Sequence, residues 1–212
     1  MRIGVLGSAA VGQRLGSAWV RKGHEVRLGS RRADNGRARV WADALGARAS
    51  HGTFVDAAAF GEVVVNCTAG EHSEAALTGC ELAGKVLLDV ANPLRFEKGE
   101  PVLTVCNDDS LAERIQRAHP GARVVKALNT VNVDVMVDPG RIPGDHEAFV
   151  CGDDAAAKDV VVGLLRELGW RSHRDLGGLV AARALEMYLP LWVRLFRELG
   201  TARFNLRIVT GS

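Results

Sequence analysis

Apolar residues recur along this chain in short blocks, each bounded by glycine or by a run of polar residues. Arg2 to Leu6 forms one such block, too brief for a helix, and predicts a buried strand. Val11, Leu15, Ala18 and Trp19 then recur at helical spacing, which predicts a helix over 11–22 stopped by Gly23 in a left-handed cap. "HEVRLGS" places Val26 and Leu28 on one side and reads as a second strand. "DNGRARVWADALG" reads as a surface helix closed by Gly46, with a weak strand over 48–50 behind it. The blocks "EVVVNCT", "KVLLDVAN", "ARVVKALN" and "HEAFVCG" predict four more strands, β-branched and apolar on both faces. Helices are predicted over 73–82, 110–118 and 155–168, the last capped by Asp153 or Asp154 and closed by Gly169.

Strands that are apolar on both faces and alternate with helices predict an α/β fold, doubly wound around a mainly parallel sheet. The proline- and glycine-rich stretch "DPGRIPGDH" marks a boundary, with a large domain over 1–140 and a smaller α/β segment over 141–212. The smaller segment is expected to hold a long apolar helix over 179–199, kinked at Pro190, and a final strand over 205–209. Apolar residues cover more than one face of that helix, so a second copy of the chain is expected to bury the outer face in a homodimer.

Composition narrows the function. The 212 residues are 47% hydrophobic and 25% charged, with a net charge of +2. The charges are mixed along the chain, which argues against a nucleic-acid footprint or a polybasic membrane patch. Cys67, Cys80, Cys106 and Cys151 have neither redox-pair nor zinc spacing, so no metal site is expected and the thiols are read as buried and reduced. The opening apolar run is too short for a signal peptide, and no stretch is long enough to cross a bilayer, so a cytoplasmic protein is expected.

"GVLGSAAVG" joins the first strand to the first helix. In a turn that cradles a dinucleotide pyrophosphate, the first glycine permits the tight turn, the second admits the phosphate and the third lets helix and strand pack closely. Gly7 and Gly12 hold the first and third places and Ala9 stands at the second. The helix start after Ala10 still offers its free N–H groups and positive dipole end to that anion. "GSRR" ends the second strand, where a carboxylate would select the ribose hydroxyl of NAD. Arg31 instead suits a 2′-phosphate, with Ser30 as hydroxyl donor and Arg32 as supporting charge, so NADP(H) is the expected coenzyme.

"IGVLG", "GHEVRLGSRR", "VVKALNT", "FVCGDDAAAK" and "LPLWVRLFRELG" together resemble the NADP oxidoreductases dependent on coenzyme F420, a deazaflavin, over nearly the whole chain. The resemblance implies a Rossmann domain for NADP, a C-terminal part that closes over it and helps form a dimer, and a deazaflavin in the cleft against the nicotinamide. It implies that Gly7, Ser8, Ala9, Ala10, Val11 and Gly12 line the pyrophosphate and that Cys67, Thr68, Ala69 and His72 lie near the nicotinamide half, with Asn92 and Pro93 at the next strand end. This chain departs from the better-known members at Ala9, at Asn129 where archaeal members carry histidine, and at Ala69–Gly70 where they carry bulkier residues. Asn129 and Thr130 end a strand where a substrate ring is expected and are the candidate substrate contacts. Hydride transfer asks orientation of the protein rather than a general acid, so no catalytic side chain is assigned. His146 and His173 read as surface residues and Tyr188 as a core or interface residue. The acceptor is expected to be coenzyme F420 or a flavin. Reduction of an imine or ferric chelate, or a non-catalytic NADPH sensor, are the alternatives.

Overall fold

The structure, a computed structural model, describes residues 1–211. Strands β1 (Arg2–Leu6), β2 (Glu25–Ser30), β3 (Ala49–Thr53), β4 (Val63–Asn66), β5 (Val86–Asp89), β8 (Arg123–Ala127), β9 (Ala148–Cys151) and β10 (His173–Asp175) form one sheet in the order β10-β9-β8-β5-β4-β1-β2-β3. Neighbours run parallel except β8 and β9, which pair antiparallel through Lys126–Cys151 and Ala127–Val150. The segment beyond residue 140 thus extends the same sheet.

Helices cover both faces, as strands apolar on both sides require. Trp19 of α1 (Ala10–Arg21), Trp41 of α2 (Gly36–Leu45), Val135 of α6 (Val133–Val137) and Val161 of α7 (Ala155–Glu167) belong to one core cluster. Ala57 of α3 (Phe54–Phe60), Leu77 of α4 (Ser73–Leu77), Ile115 of α5 (Leu111–Ala118) and Leu185 of α8 (Ala182–Met187) belong to the other. The chain winds from β1 to β2 and β3 in one direction and from β4 to β5 and β8 in the other. The sheet therefore has its topological switch point between β1 and β4, where open α/β sheets bind ligands beyond the carboxyl ends of their strands.

Several expected elements differ. The long helix over 179–199 is broken: a 3-10 turn (Leu179–Ala181) leads into α8, and α9 (Leu189–Leu199) starts anew after Tyr188. Pro190 lies in the first turn of α9, where its missing N–H costs nothing, so it opens a helix rather than bending one. The expected strand over 205–209 has no ladder partner and no regular secondary structure; Asn205 Nδ2 ties it to Glu147 O at 3.0 Å. The helix from Ser73 stops at Leu77, ahead of Gly79 at φ 76°. Two further elements carried local signals that went unread. Thr53 and Asp56 form a capping box that starts α3. Lys98 and Gly99, both at positive φ, turn a hairpin of β6 (Leu94–Glu97) and β7 (Glu100–Leu103).

Candidate functional site

The β1–α1 turn follows the glycine logic at two places. Gly7 sits at φ 119°, and a Cβ there would meet Cys67 O at 2.6 Å. A Cβ on Gly12 would meet Gly7 O at 1.9 Å. Ala9, by contrast, has φ −86° and ψ −173°, a conformation any residue adopts, and its side chain is exposed. The absent second glycine therefore costs the turn nothing. Ala9 is also the N-cap of α1, no side chain caps that helix, and its first turn contains no acid. The leading N–H groups and the positive end of the helix dipole are left to an anion. Gly12→Ala should weaken NADPH binding by about tenfold, because the turn must shift away from its N–H donors. Ala9→Gly should leave it unchanged. Titration calorimetry of both variants checks the pair.

The GSRR loop is divided in its roles. Ser30 is buried and its hydroxyl donates to Arg32 O at 2.6 Å, so it shapes the loop. Arg32 is forked onto Asp34 at 2.9 and 2.7 Å, which raises the guanidinium pKa and lowers that of the carboxyl. Arg31 is exposed and forms no ion pair among the described residues.

A cleft of about 350 Å³ opens over the switch point. Val11 of α1, Cys67, Thr68 and Ala69 after β4, Asn92 after β5, Asn129 after β8, Met136 of α6, and Leu189 and Trp192 of α9 all line it. Gly70 permits the close approach of the β4 and β5 loops, since a Cβ there would meet Asn92 O at 1.9 Å. None of the lining side chains is an acid, a base or a guanidinium. Burial, with Asp89 adding to it, pushes the Cys67 thiol far above its ordinary pKa, so Cys67 contributes a neutral wall rather than a nucleophile.

Leu128 adopts φ 63°, a left-handed turn rare for leucine, just before Asn129. Asn129 Nδ2 then donates to Asn92 Oδ1 at 2.9 Å and Leu185 O at 3.0 Å, while Asn92 Nδ2 donates to Asn129 O at 3.0 Å. These partners fix both amide orientations. Asn129 Oδ1 and Trp192 Nε1 are buried without a protein partner. Of the β1–α1 turn only Val11 lines the cleft, and of the residues expected near the nicotinamide or the substrate ring three stand outside it. His72 is exposed, with Nε2 3.9 Å from Glu71; Pro93 is buried behind Asn92; Thr130 is buried off the lining. His146 is no free surface residue either: Nε2 lies 3.0 Å from Pro139 O and Nδ1 accepts from Asn205 Nδ2 at 2.9 Å.

Behind the cleft wall lies a charge cluster that sequence reasoning missed. Lys126 of β8 is fully buried, with Nζ 2.8 Å from Asp89 Oδ2, 2.8 Å from Glu186 Oε1, and donating to Ala91 O. Burial opposes the ammonium, but the two carboxylates outweigh it and raise the Lys126 pKa. Burial raises the Glu186 pKa, and Lys126 opposes that rise. Asp89 Oδ1 accepts from Asn66 Nδ2 at 2.8 Å and Ala91 N at 3.2 Å. Asn66 Oδ1 in turn accepts from the Thr68 hydroxyl at 2.7 Å. One buried network thus holds the loops after β4 and β5 and, through Glu186, helix α8.

Among solved structures, a protein from Arthrobacter sp. FB24, provisionally described as an F420-dependent NADP-reductase, is 47% identical to this chain, covers 98% of it and 99% of its own length, and superposes with a TM-score of 0.91. The sequence pattern of the family described as NADP oxidoreductase coenzyme F420-dependent matches residues 2–93. The chain belongs to this family. The F420-dependent NADP reductase of Methanocaldococcus jannaschii is 31% identical over 66% of this chain and 64% of its own length. Metalloreductase STEAP3 of Rattus norvegicus is 29% identical over 90% of this chain. The chain spans 38% of the length of that larger relative. Among the described residues, no helix is long and apolar enough to cross a membrane.

Proposed function

We propose that this member of the F420-dependent NADP oxidoreductase family moves a hydride between NADP(H) and a deazaflavin or flavin-like ring. One observation carries the reading: a cleft over the switch point joins an uncapped helix start to a wall without ionisable side chains other than a neutral thiol. When bound, the coenzyme supplies a hydride, two electrons with one proton, at its nicotinamide ring. The chain's own part is to bind and orient. The N–H groups at the start of α1 would hold the pyrophosphate, and Arg31 the 2′-phosphate. Val11, Cys67 and Thr68 would flank the nicotinamide. Met136, Leu189 and Trp192 provide apolar surface for a second flat ring, and Asn129 Oδ1 and Trp192 Nε1 offer an acceptor and a donor to its polar edge.

Leu191, Phe196 and Leu199 of α9 are exposed, as is Phe96 on the β6–β7 hairpin. That apolar surface supports a second copy of the chain as its cover.

The test follows the loss of nicotinamide absorbance from NADPH with coenzyme F420, FMN, an imine or a ferric chelate as acceptor. The deazaflavin or the flavin should accelerate oxidation most. Faster turnover of the imine or the chelate would reassign the acceptor. Tight NADPH binding with no acceptor turned over would make the protein a sensor.

A further inference from the structure

Removing a hydride from NADPH leaves a positive charge on the nicotinamide, so fixed charge near the cleft bears on the reaction's energetics. The lining supplies none. The nearest buried charges are those of Asp89, Lys126 and Glu186, each at most 1% exposed. Both carboxylates are contacted only by donors. Asp89 meets Lys126 Nζ, Asn66 Nδ2 and Ala91 N. Glu186 meets Lys126 Nζ, Leu111 N at 2.8 Å and Ala112 N at 3.2 Å. Every oxygen of both groups accepts from a donor and no neighbour accepts a proton from either, an arrangement that suits two carboxylates against one ammonium, with an excess of one negative charge. The start of α5 softens the Glu186 end of that excess, since Leu111 and Ala112 are its first residues. The Asp89 end reaches the cleft through one residue: Ala91 lines it, with its N–H on Asp89 and its carbonyl on Lys126.

We propose that the Asp89–Lys126–Glu186 cluster is an electrostatic bias beneath the cleft that favours the oxidised, cationic nicotinamide over the reduced, neutral one. The inference rests on the coenzyme reading above and adds a direction to it. A protein that holds NADP+ preferentially makes its bound NADPH a stronger hydride donor. The electron pair and its proton go to the deazaflavin or flavin-like acceptor, and solvent supplies that ring's second proton. The three residues touch neither coenzyme nor substrate directly; they act through the wall.

Glu186→Gln and Asp89→Asn each remove the excess charge from a different end of the cluster. Calorimetric Kd values for NADP+ and NADPH are measured on the full chain and on both variants, with circular dichroism to confirm folding. The ratio of the NADP+ Kd to the NADPH Kd should rise by about three- to tenfold in both variants. A purely structural role would weaken both coenzymes together and leave the ratio fixed, which would overturn the proposal. Should neither variant fold, the unaltered protein decides it: NADP+ must bind at least as tightly as NADPH, and the reverse order would overturn it. If the unaltered protein binds neither coenzyme, the coenzyme reading falls and the bias with it. Binding of both with an unmoved ratio sinks the bias alone.

Discussion

Lys126→Met is expected to lower the stability of the chain by about 3–5 kcal/mol in urea denaturation at neutral pH. Methionine fills most of the lysine's volume, so the loss is electrostatic rather than a cavity. Nζ lies 2.8 Å from a carboxylate oxygen on each side, and all three side chains are out of water. Without the ammonium, two like charges face one another in a medium that screens them poorly. Asp89 keeps Asn66 Nδ2 and Ala91 N, and Glu186 keeps the start of α5, so the fold persists with a reduced margin. The sign of the pH dependence follows. In the variant, burial acts on the Glu186 carboxyl without the opposing ammonium, so its folded-state pKa should lie above its unfolded value. The destabilisation is then greatest above that folded value and shrinks as pH falls through it. A loss below about 1 kcal/mol, flat with pH, would show that water reaches the cluster.

This cluster also shows what the sequence hid. "VVKAL" reads as a strand because its apolar residues dominate, and a lysine inside it carries no local mark of burial. Its partners lie 37 and 60 positions away, and only the fold brings them together. The β1–α1 turn was legible for the opposite reason. Gly12 is demanded by Gly7 O within the strand–turn–helix unit and Gly7 by its own φ of 119°, both local, so spacing exposes them; the further contact of Gly7 with Cys67 O is visible only in the fold. Ala9 was legible as a departure but not as a harmless one, because its backbone angles are not written in its residue type. Strand identities came through where apolar runs are continuous, as in β4 and β5. The segment over 205–209 shows the limit of that signal: it alternates like a strand, yet it pairs with no strand of the sheet, whose edge on that side is β10. Within the cleft, Asn129 was found at a strand end. In the sequence Trp192 is one apolar position among others in the run over 179–199, and its unpartnered indole N–H becomes visible only once α9 is folded back over the strand ends.

Arg31→Ala should weaken NADPH binding by about ten- to a hundredfold and leave NADH binding nearly unchanged. The range is that of one charge-assisted contact to a phosphate, about 1.5–3 kcal/mol. Three residues of the GSRR loop could in principle grip the 2′-phosphate, but their existing bonds separate them. The Ser30 hydroxyl already donates its hydrogen bond to Arg32 O, and Arg32 must leave Asp34 before it can turn to a ligand. Arg31 has no such competitor among the described residues, so its guanidinium is available without a rearrangement. Arg32→Ala should therefore cost less than Arg31→Ala, with Asp34 freed to repel the phosphate as the reason it costs anything. Both side chains are exposed, so the NADPH preference should shrink as salt rises, whereas NADH binding should hardly respond. Isothermal titration of the two coenzymes against wild type, Arg31→Ala and Arg32→Ala, at two salt concentrations, reads all of this. Equal losses for NADPH and NADH in Arg31→Ala would place the phosphate elsewhere, because an arginine that only supports the loop cannot tell one coenzyme from the other.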